Sequence, residues 1–174
     1  MATNPIPMTN VAYEVYDSNS DRLLGIASVT LPDFSLMTTE VKGSGILGQI
    51  DWPIFAQAEN LEMTFNFRVL YEGATRFMFP NAHTFTLRSA YEKYDAADGT
   101  RQMRGLKIFV RGLTKGTNLG KLETAESADV ELTLHLDYIK IEEAGTVILE
   151  FDRFNYVFST GEDLMGDLKS VLGL

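Results

Sequence analysis

The chain of 174 residues contains no cysteine. That single absence removes disulfides, thiolate zinc sites, iron–sulfur ligation and a cysteine nucleophile. Histidine is almost as scarce, with two residues, His83 and His135. A His-based zinc site needs three or four ligands at suitable spacing. These two have no close-spaced His partner and read as surface or strand-face residues. Positive charge is also short: 15 Lys plus Arg stand against 24 Asp plus Glu, a formal net charge of −9. Phosphate affinity comes mainly from Lys and Arg, so a protein that grips nucleic acid is not expected, nor is a polybasic membrane binder. No apolar run approaches the ~18 residues of a membrane-spanning helix. Met1 to Asn10 has neither a basic nor an apolar stretch, so no secretory signal is expected.

Familiar catalytic arrangements are missing too. Gly43-Ser44-Gly45 with Gly48 lacks the Lys-Ser/Thr of a P-loop and the strand–turn–helix setting of a dinucleotide fingerprint. No Gly-x-Ser-x-Gly elbow occurs. Carboxylates are abundant without being paired: Glu142 and Glu143 are adjacent and point to opposite faces of a strand, while Glu131 and Asp137 lie too far apart along one. No catalytic residue, metal ligand or cofactor is expected.

What is present is period-two patterning. Leu61, Met63, Phe65, Phe67 and Val69 alternate with Glu62, Thr64, Asn66 and Arg68, which predicts a half-buried strand. Val130, Leu132, Leu134, Leu136 and Tyr138 repeat the pattern, and the phase then slips to Ile139 and Ile141. A bulge near Tyr138 would absorb one residue. Shorter strands are expected around Val11–Val15, at Leu23–Leu31 and Phe34–Val41 on either side of Pro32-Asp33, and at Val147–Phe158 after Ala144-Gly145. Thr84–Tyr94 leads to Asp98-Gly99, a hairpin signal, with Met103–Thr114 as the partner. Helix is expected only at Tyr71–Phe79, stopped by Pro80, and at Glu162–Val171.

Lys42 to Asn60 reads as a long irregular loop. It carries Gly43, Gly45, Gly48 and Pro53 together with the apolar Ile46, Leu47, Ile50, Trp52, Ile54 and Phe55. That is too apolar for a disordered linker, and loops of this length usually have a task. The segment either folds against another subunit or covers the end of its own core. Gly112 to Ala128 is polar and reads as a hairpin tip or loop. Neither a repeat nor a shift in composition marks a second domain, so residues 1–174 are expected to form one.

The order of these landmarks resembles the major tail tube proteins of contractile-tailed phages and phage-tail-like bacteriocins. The residues that carry the resemblance are Asn10-Val11, Gly25 before Val29-Thr30-Leu31-Pro32, Thr39-Glu40, Gly43-Ser44-Gly45, Ile50-Asp51-Trp52-Pro53, the strand at Leu61–Val69, Met103-Arg104-Gly105, Val110-Arg111-Gly112 and the closing Leu172-Gly173-Leu174. The resemblance implies a mainly β fold: an antiparallel sandwich or barrel-like core with one short flanking α-helix, and long hairpins joining an inner barrel shared between subunits. It implies hexameric rings stacked into a hollow tube, with residues 1–10 and 159–174 as arms and 42–60 as an inter-ring loop. Partners would be further copies of the chain, a sheath, and baseplate, tape-measure and tail-terminator proteins. The setting would be a virion tail or tail-like particle assembled in a bacterial cytoplasm.

Under that reading Ile46, Leu47, Ile50, Trp52, Ile54 and Phe55 are contacts between subunits or rings, because large apolar groups dominate desolvated interfaces. Asp33 and Glu40 are assigned to the bore or its rim, where acid repels passing DNA instead of holding it. Two other readings stand beside it. A carbohydrate-binding β-sandwich would display aromatics, with Tyr91 and Tyr94 as candidates. An enzyme would use paired carboxylates that nothing in the sequence selects.

Overall fold

The structure is a computed structural model that describes residues 5–19 and 22–173. In chain order its strands are β1 (Pro5–Asp17), β2 (Arg22–Leu24), β3 (Ile26–Thr30), β4 (Leu36–Lys42), β5 (Gln49–Ala58), β6 (Glu62–Phe67), β7 (Ala82–Asp95), β8 (Thr100–Asn118), β9 (Val130–Glu143), β10 (Thr146–Asp152) and β11 (Val157–Ser159). Among the described residues helix is limited to α1 (Glu72–Thr75), which runs into a 3-10 turn at Arg76–Met78, and α2 (Gly166–Leu172). Every strand pairing is antiparallel.

The alternating segments lie at the centre. Leu61, Met63, Phe65 and Phe67 are buried, and β6 pairs with the first half of β9, whose Val130, Leu132, Leu134 and Leu136 are buried beside them. The ladder runs β11-β10-β9-β8-β7-β1-β2, and β3 joins β6. Gly25 alone separates β2 from β3, so the circuit β1, β2, β3, β6, β9, β8, β7 closes a barrel through chain continuity. Phe77, on the 3-10 turn, packs edge-on against Phe85 with ring centroids 4.9 Å apart, and Phe65 lies 4.9 Å from the same ring. The phase slip has the anticipated cause: Arg111 pairs with Tyr138 and Gly112 with Leu136, leaving Asp137 as the extra residue of a bulge.

Several expectations need correction. Lys42–Asn60 is no irregular loop: Gln49–Ala58 is a strand that pairs with β4 as a separate two-stranded sheet. The expected strand at 23–31 is interrupted at Gly25 into β2 and β3, and the strands on either side of Pro32-Asp33 go to different sheets, since β3 takes β6 and β4 takes β5. Residues 112–118 continue β8 instead of forming a loop, despite Gly112 and Gly116. Within the expected N-terminal arm, Pro5–Asn10 is strand paired with β7; its residues 1–4 lie outside the described residues.

Candidate functional site

The β4–β5 hairpin sorts its residues by face. Thr39 pairs with Trp52 and Val41 with Ile50, whereas Thr38 pairs with Pro53, Glu40 with Asp51 and Lys42 with Gln49. Alternate pairs point to opposite sides. One face is therefore Thr39, Val41, Ile50 and Trp52, and the other is Thr38, Glu40, Lys42, Gln49, Asp51 and Pro53. Pro53 is tolerated because this short sheet has only edge strands, where a missing N–H need not interrupt a ladder. Glu40 and Asp51 are like charges placed opposite each other, an unfavourable pairing. Lys42 relieves it with an ion pair to Glu40 at 2.8 Å.

Toward its root the hairpin carries an extended bulge. Ala58 pairs with Leu36 and Pro53 with Thr38, so Ile54–Gln57 oppose Met37 alone. Ala56 turns the chain with φ of 56°, a left-handed conformation that is uncommon for a residue with a side chain. Phe55, on this bulge, is 62% exposed, and Trp52 is 58% exposed. Leu47, at the tip, is fully exposed and Ile50 is exposed, while Ile46 and Ile54 are half-buried. The tip turns through Gly43, with the Ile46 N–H donating to its carbonyl at 3.1 Å. Asp33 lies outside this sheet, exposed on the linker before β4.

The root is held firmly. The Glu59 N–H donates to the Ser35 carbonyl at 2.8 Å, and Phe34 packs edge-on against Phe151 with centroids 5.9 Å apart. Arg153 donates from Nη1 to the Ala58 carbonyl at 3.3 Å and from Nη2 to the Glu59 carbonyl at 2.7 Å. Its own N–H reaches the Asp137 carbonyl at 3.0 Å, so the β9 bulge, the β10–β11 turn and the hairpin root are tied together. Sequence reasoning missed Arg153 because its partners are backbone carbonyls distant in the chain. It also missed Thr39, Val41 and Asp51, although the alternation at 39–42 and 49–52 was there to be read.

A second exposed region is a single-layer sheet that runs on beyond the barrel. It comprises the first part of β1, the end of β7, the start of β8, the end of β9 and the start of β10. Along Pro5–Glu14 and Thr100–Gly105 every residue is exposed, so neither face of that stretch is covered. Ile6, Met8, Val11 and Met103 are among the large apolar side chains left in the open. Among the described residues β1 has β7 on one side along its length, whereas β2 covers the other side only from Val15 to Asp17. Where β1 and β3 part, a groove opens, lined by Val29, Leu31, Leu87, Leu106 and Ile108 with Asn10, Tyr13, Ser28 and Ser89.

Polar clusters on the sheets tie strands together. The Tyr138 hydroxyl, pushed up to about 12 by burial and by its hydrogen bond to Glu150, donates to that carboxylate at 2.9 Å. Asp152 sits close by. Burial opposes its ionised form, but Asn155, the Phe154 N–H and Arg111 outweigh that and hold the carboxyl below its usual range. Tyr91 donates to Glu143, and this bond raises its pKa. His83 Nε2 lies 3.1 Å from the Phe79 carbonyl, and His135 lies 3.8 Å from Asp137. Among the described residues no group of three or more His, Asp or Glu is arranged to hold a metal ion.

An antiparallel barrel that exposes an amphipathic hairpin, an uncovered sheet layer and an unpaired strand edge has the surfaces of an assembly subunit. Residues 11–173 match the family of phage tail tube protein FII, and the chain belongs to that family. It is a structural tail tube protein. A comparison with curated proteins finds no match. Among solved structures, the chain is similar to the sheath/tube terminator of an extracellular contractile injection system, PVC, in the extended state. The identity is 15% and the TM-score 0.55, over 79% of this chain and 97% of that one. It is similar to the cap that terminates the anti-feeding prophage tube, at 16% identity and TM-score 0.56 over 83% and 95%. A chain of the PVC sheath–tube complex aligns at 15% identity and TM-score 0.50 over 75% and 87%. At these identities the likeness is one of fold.

Proposed function

We propose that the chain polymerises as hexameric rings stacked into the hollow inner tube of a contractile tail, within a sheath, and serves as a conduit for DNA passage or membrane puncture without catalysing a reaction. The observation that carries this reading is the two-faced hairpin in a member of the tail tube family. Its apolar face, with Ile50 and Trp52, and the neighbouring Ile46, Leu47, Ile54 and Phe55 have the character of contacts between copies. Its acidic face, with Glu40 and Asp51, has the character of a surface that DNA passes without binding. Asp33, on the linker before β4, is placed at the bore or its rim. Beyond copies of itself, the partners are the sheath and tube-terminating proteins, with baseplate and tape-measure proteins at the tube's end and in its interior. Assembly takes place in the bacterial host cytoplasm, and the finished product is a tail particle.

Negative-stain electron microscopy of the purified protein over a range of concentrations tests this. Long hollow tubes of even width are the expected result. Single rings that never elongate would mark a terminating cap instead, and a chain that stays monomeric at high concentration with tail components present would overturn the reading.

A further inference from the structure

On the outward face of the barrel wall, four strands set their charges in a single row. Glu14 on β1 pairs with Arg88 on β7, Arg88 with Lys107 on β8, and Lys107 with Glu142 on β9. This is the face opposite Val15, Leu87 and Ile108, which are buried in the core. Arg88 and Lys107 are both exposed, and like charges directly opposite each other are unfavourable. The carboxylates beside them are engaged elsewhere. Glu14 accepts a hydrogen bond from the Tyr16 hydroxyl, and Glu142 is held by Lys140 at 2.8 Å. Among the described residues Arg88 and Lys107 make no ion pair, whereas Arg76, Arg111, Lys115 and Lys140 each make one.

The cation pair is held in place without being neutralised. The Arg88 guanidinium lies over the Tyr16 ring, 4.6 Å from its centre. One step along the strands the same face becomes flat: Ala12 pairs with Ala90 and Ala90 with Gly105, where an added Cβ would meet nothing within 4 Å. A foreign backbone can lie across these strands about 7 Å from the cations, within reach of a long acidic side chain. Uncompensated positive charge selects an anion, and the ends of the row limit its form. Glu14 and Glu142 stand three strand spacings apart, about 14 Å. Duplex DNA carries a charge every ~1.7 Å of its axis, so it would lay phosphates on those carboxylates as well as on the cations. A polypeptide can bring acid to the centre of the row and neutral residues to its ends.

We infer that Arg88 and Lys107 are the docking point for an acidic segment of a protein partner, which lies across β1, β7 and β8 on Ala12, Ala90 and Gly105 and places a carboxylate between the two cations. The partner is a different protein from this chain. Exposed charge steers encounters and weakens with salt, which suits a binder that comes and goes. Permanent joints between copies have the uncovered apolar surfaces to use instead. The inference goes beyond the tube reading and does not depend on it.

A fluorescently labelled oligo-glutamate peptide, titrated into the dispersed full-length chain at low ionic strength, tests this, with duplex DNA as the competing probe. Arg88→Gln with Lys107→Gln is expected to weaken peptide binding at least ~5-fold, and the melting temperature should not fall, because both side chains are exposed. Arg88→Lys alone should keep most of the binding. Lys115→Gln with Lys121→Gln removes the same charge from cations already paired with Glu62 and Glu123, and should leave binding unchanged. A wild-type chain that binds no peptide, an equal loss in the two double variants, or duplex DNA bound as tightly through the same pair would each overturn the inference. Loss of tube formation in the Arg88→Gln, Lys107→Gln chain would also overturn it, by making the occupant another copy. Peptide binding is read on dispersed chains and tube formation by electron microscopy, so failure of this inference and failure of the tube reading are told apart.

Discussion

Glu40 and Asp51 stand directly opposite each other on the β4–β5 ladder, two carboxylates in register with a single Lys42 to offset them. Local stability does not favour that arrangement, since like charges directly opposite are unfavourable in a cross-strand pair, where good pairs contribute about 0.2–1 kcal/mol. Under the proposed reading, its value lies in the acidic surface it offers to passing DNA.

Replacing both carboxylates with lysine tests that value. Tubes of Glu40→Lys with Asp51→Lys are expected to form, because the substitutions fall on the polar face. They should retain double-stranded DNA in a filter-binding assay, with affinity dropping steeply as salt rises, while wild-type tubes retain little. Equal retention by both would place this face away from the bore.

Truncating the aromatics should separate folding from assembly. Trp52→Ala with Phe55→Ala removes side chains that the isolated subunit leaves mostly exposed, so the melting temperature should change little. Interface hot spots cost about 2 kcal/mol or more when truncated. The critical concentration for tube formation should therefore rise at least ~30-fold, measured by sedimentation. Unchanged polymerisation would remove these residues from the interface.

Two glycines of β8 should respond in opposite ways. A Cβ on Gly112 would lie 2.2 Å from the His135 carbonyl oxygen, which is backbone and cannot swing aside, whereas nothing lies within 4 Å at Gly116. Gly112→Ala should destabilise the subunit by roughly 2 kcal/mol or more through strain in the ladder. Gly116→Ala should be within about 0.5 kcal/mol of wild type, as surface substitutions usually are. Urea denaturation of both variants checks this.

The Tyr138–Glu150 pair gives a pH signature. The phenol is at about 12 in the folded chain, above its ordinary value of 10.0. A folded-state pKa raised above the unfolded one contributes stability that is complete below pH ~10 and lost as pH rises toward 12. Tyr138→Phe should flatten that part of the stability curve, measured by chemical denaturation between pH 9 and 12. An equal alkaline loss in both proteins would assign the effect elsewhere.

The parts of the fold legible in the sequence are those in which burial writes a pattern. Leu61, Met63, Phe65 and Phe67 announce their strand because one face is core and the other is not. The slip after Tyr138 locates the bulge to within a residue, at Asp137. Pairing partners were less legible: nothing local to Leu23–Leu31 shows that its second half joins Thr64–Phe67 instead of the adjacent strand. In the hairpin, Gly43, Gly45, Gly48 and Pro53 masked a real alternation, because breakers carry weight in a sequence even where an isolated two-stranded sheet tolerates them. Ile50, Trp52 and Phe55 stood out as apolar residues without a core, while Arg153, which orients the root, gave no signal because it binds carbonyls.

β8 extends over 19 residues, about 60 Å of continuous backbone at ~3.3 Å per residue. The barrel and the sheet that leaves it share this strand, with no linker between them. Under load along the strand, force crosses that junction through covalent bonds, while the weaker ladders on either side take shear distributed over many rungs. Copies joined by non-covalent contacts should separate from one another, where contacts can re-form, before a subunit tears across this strand.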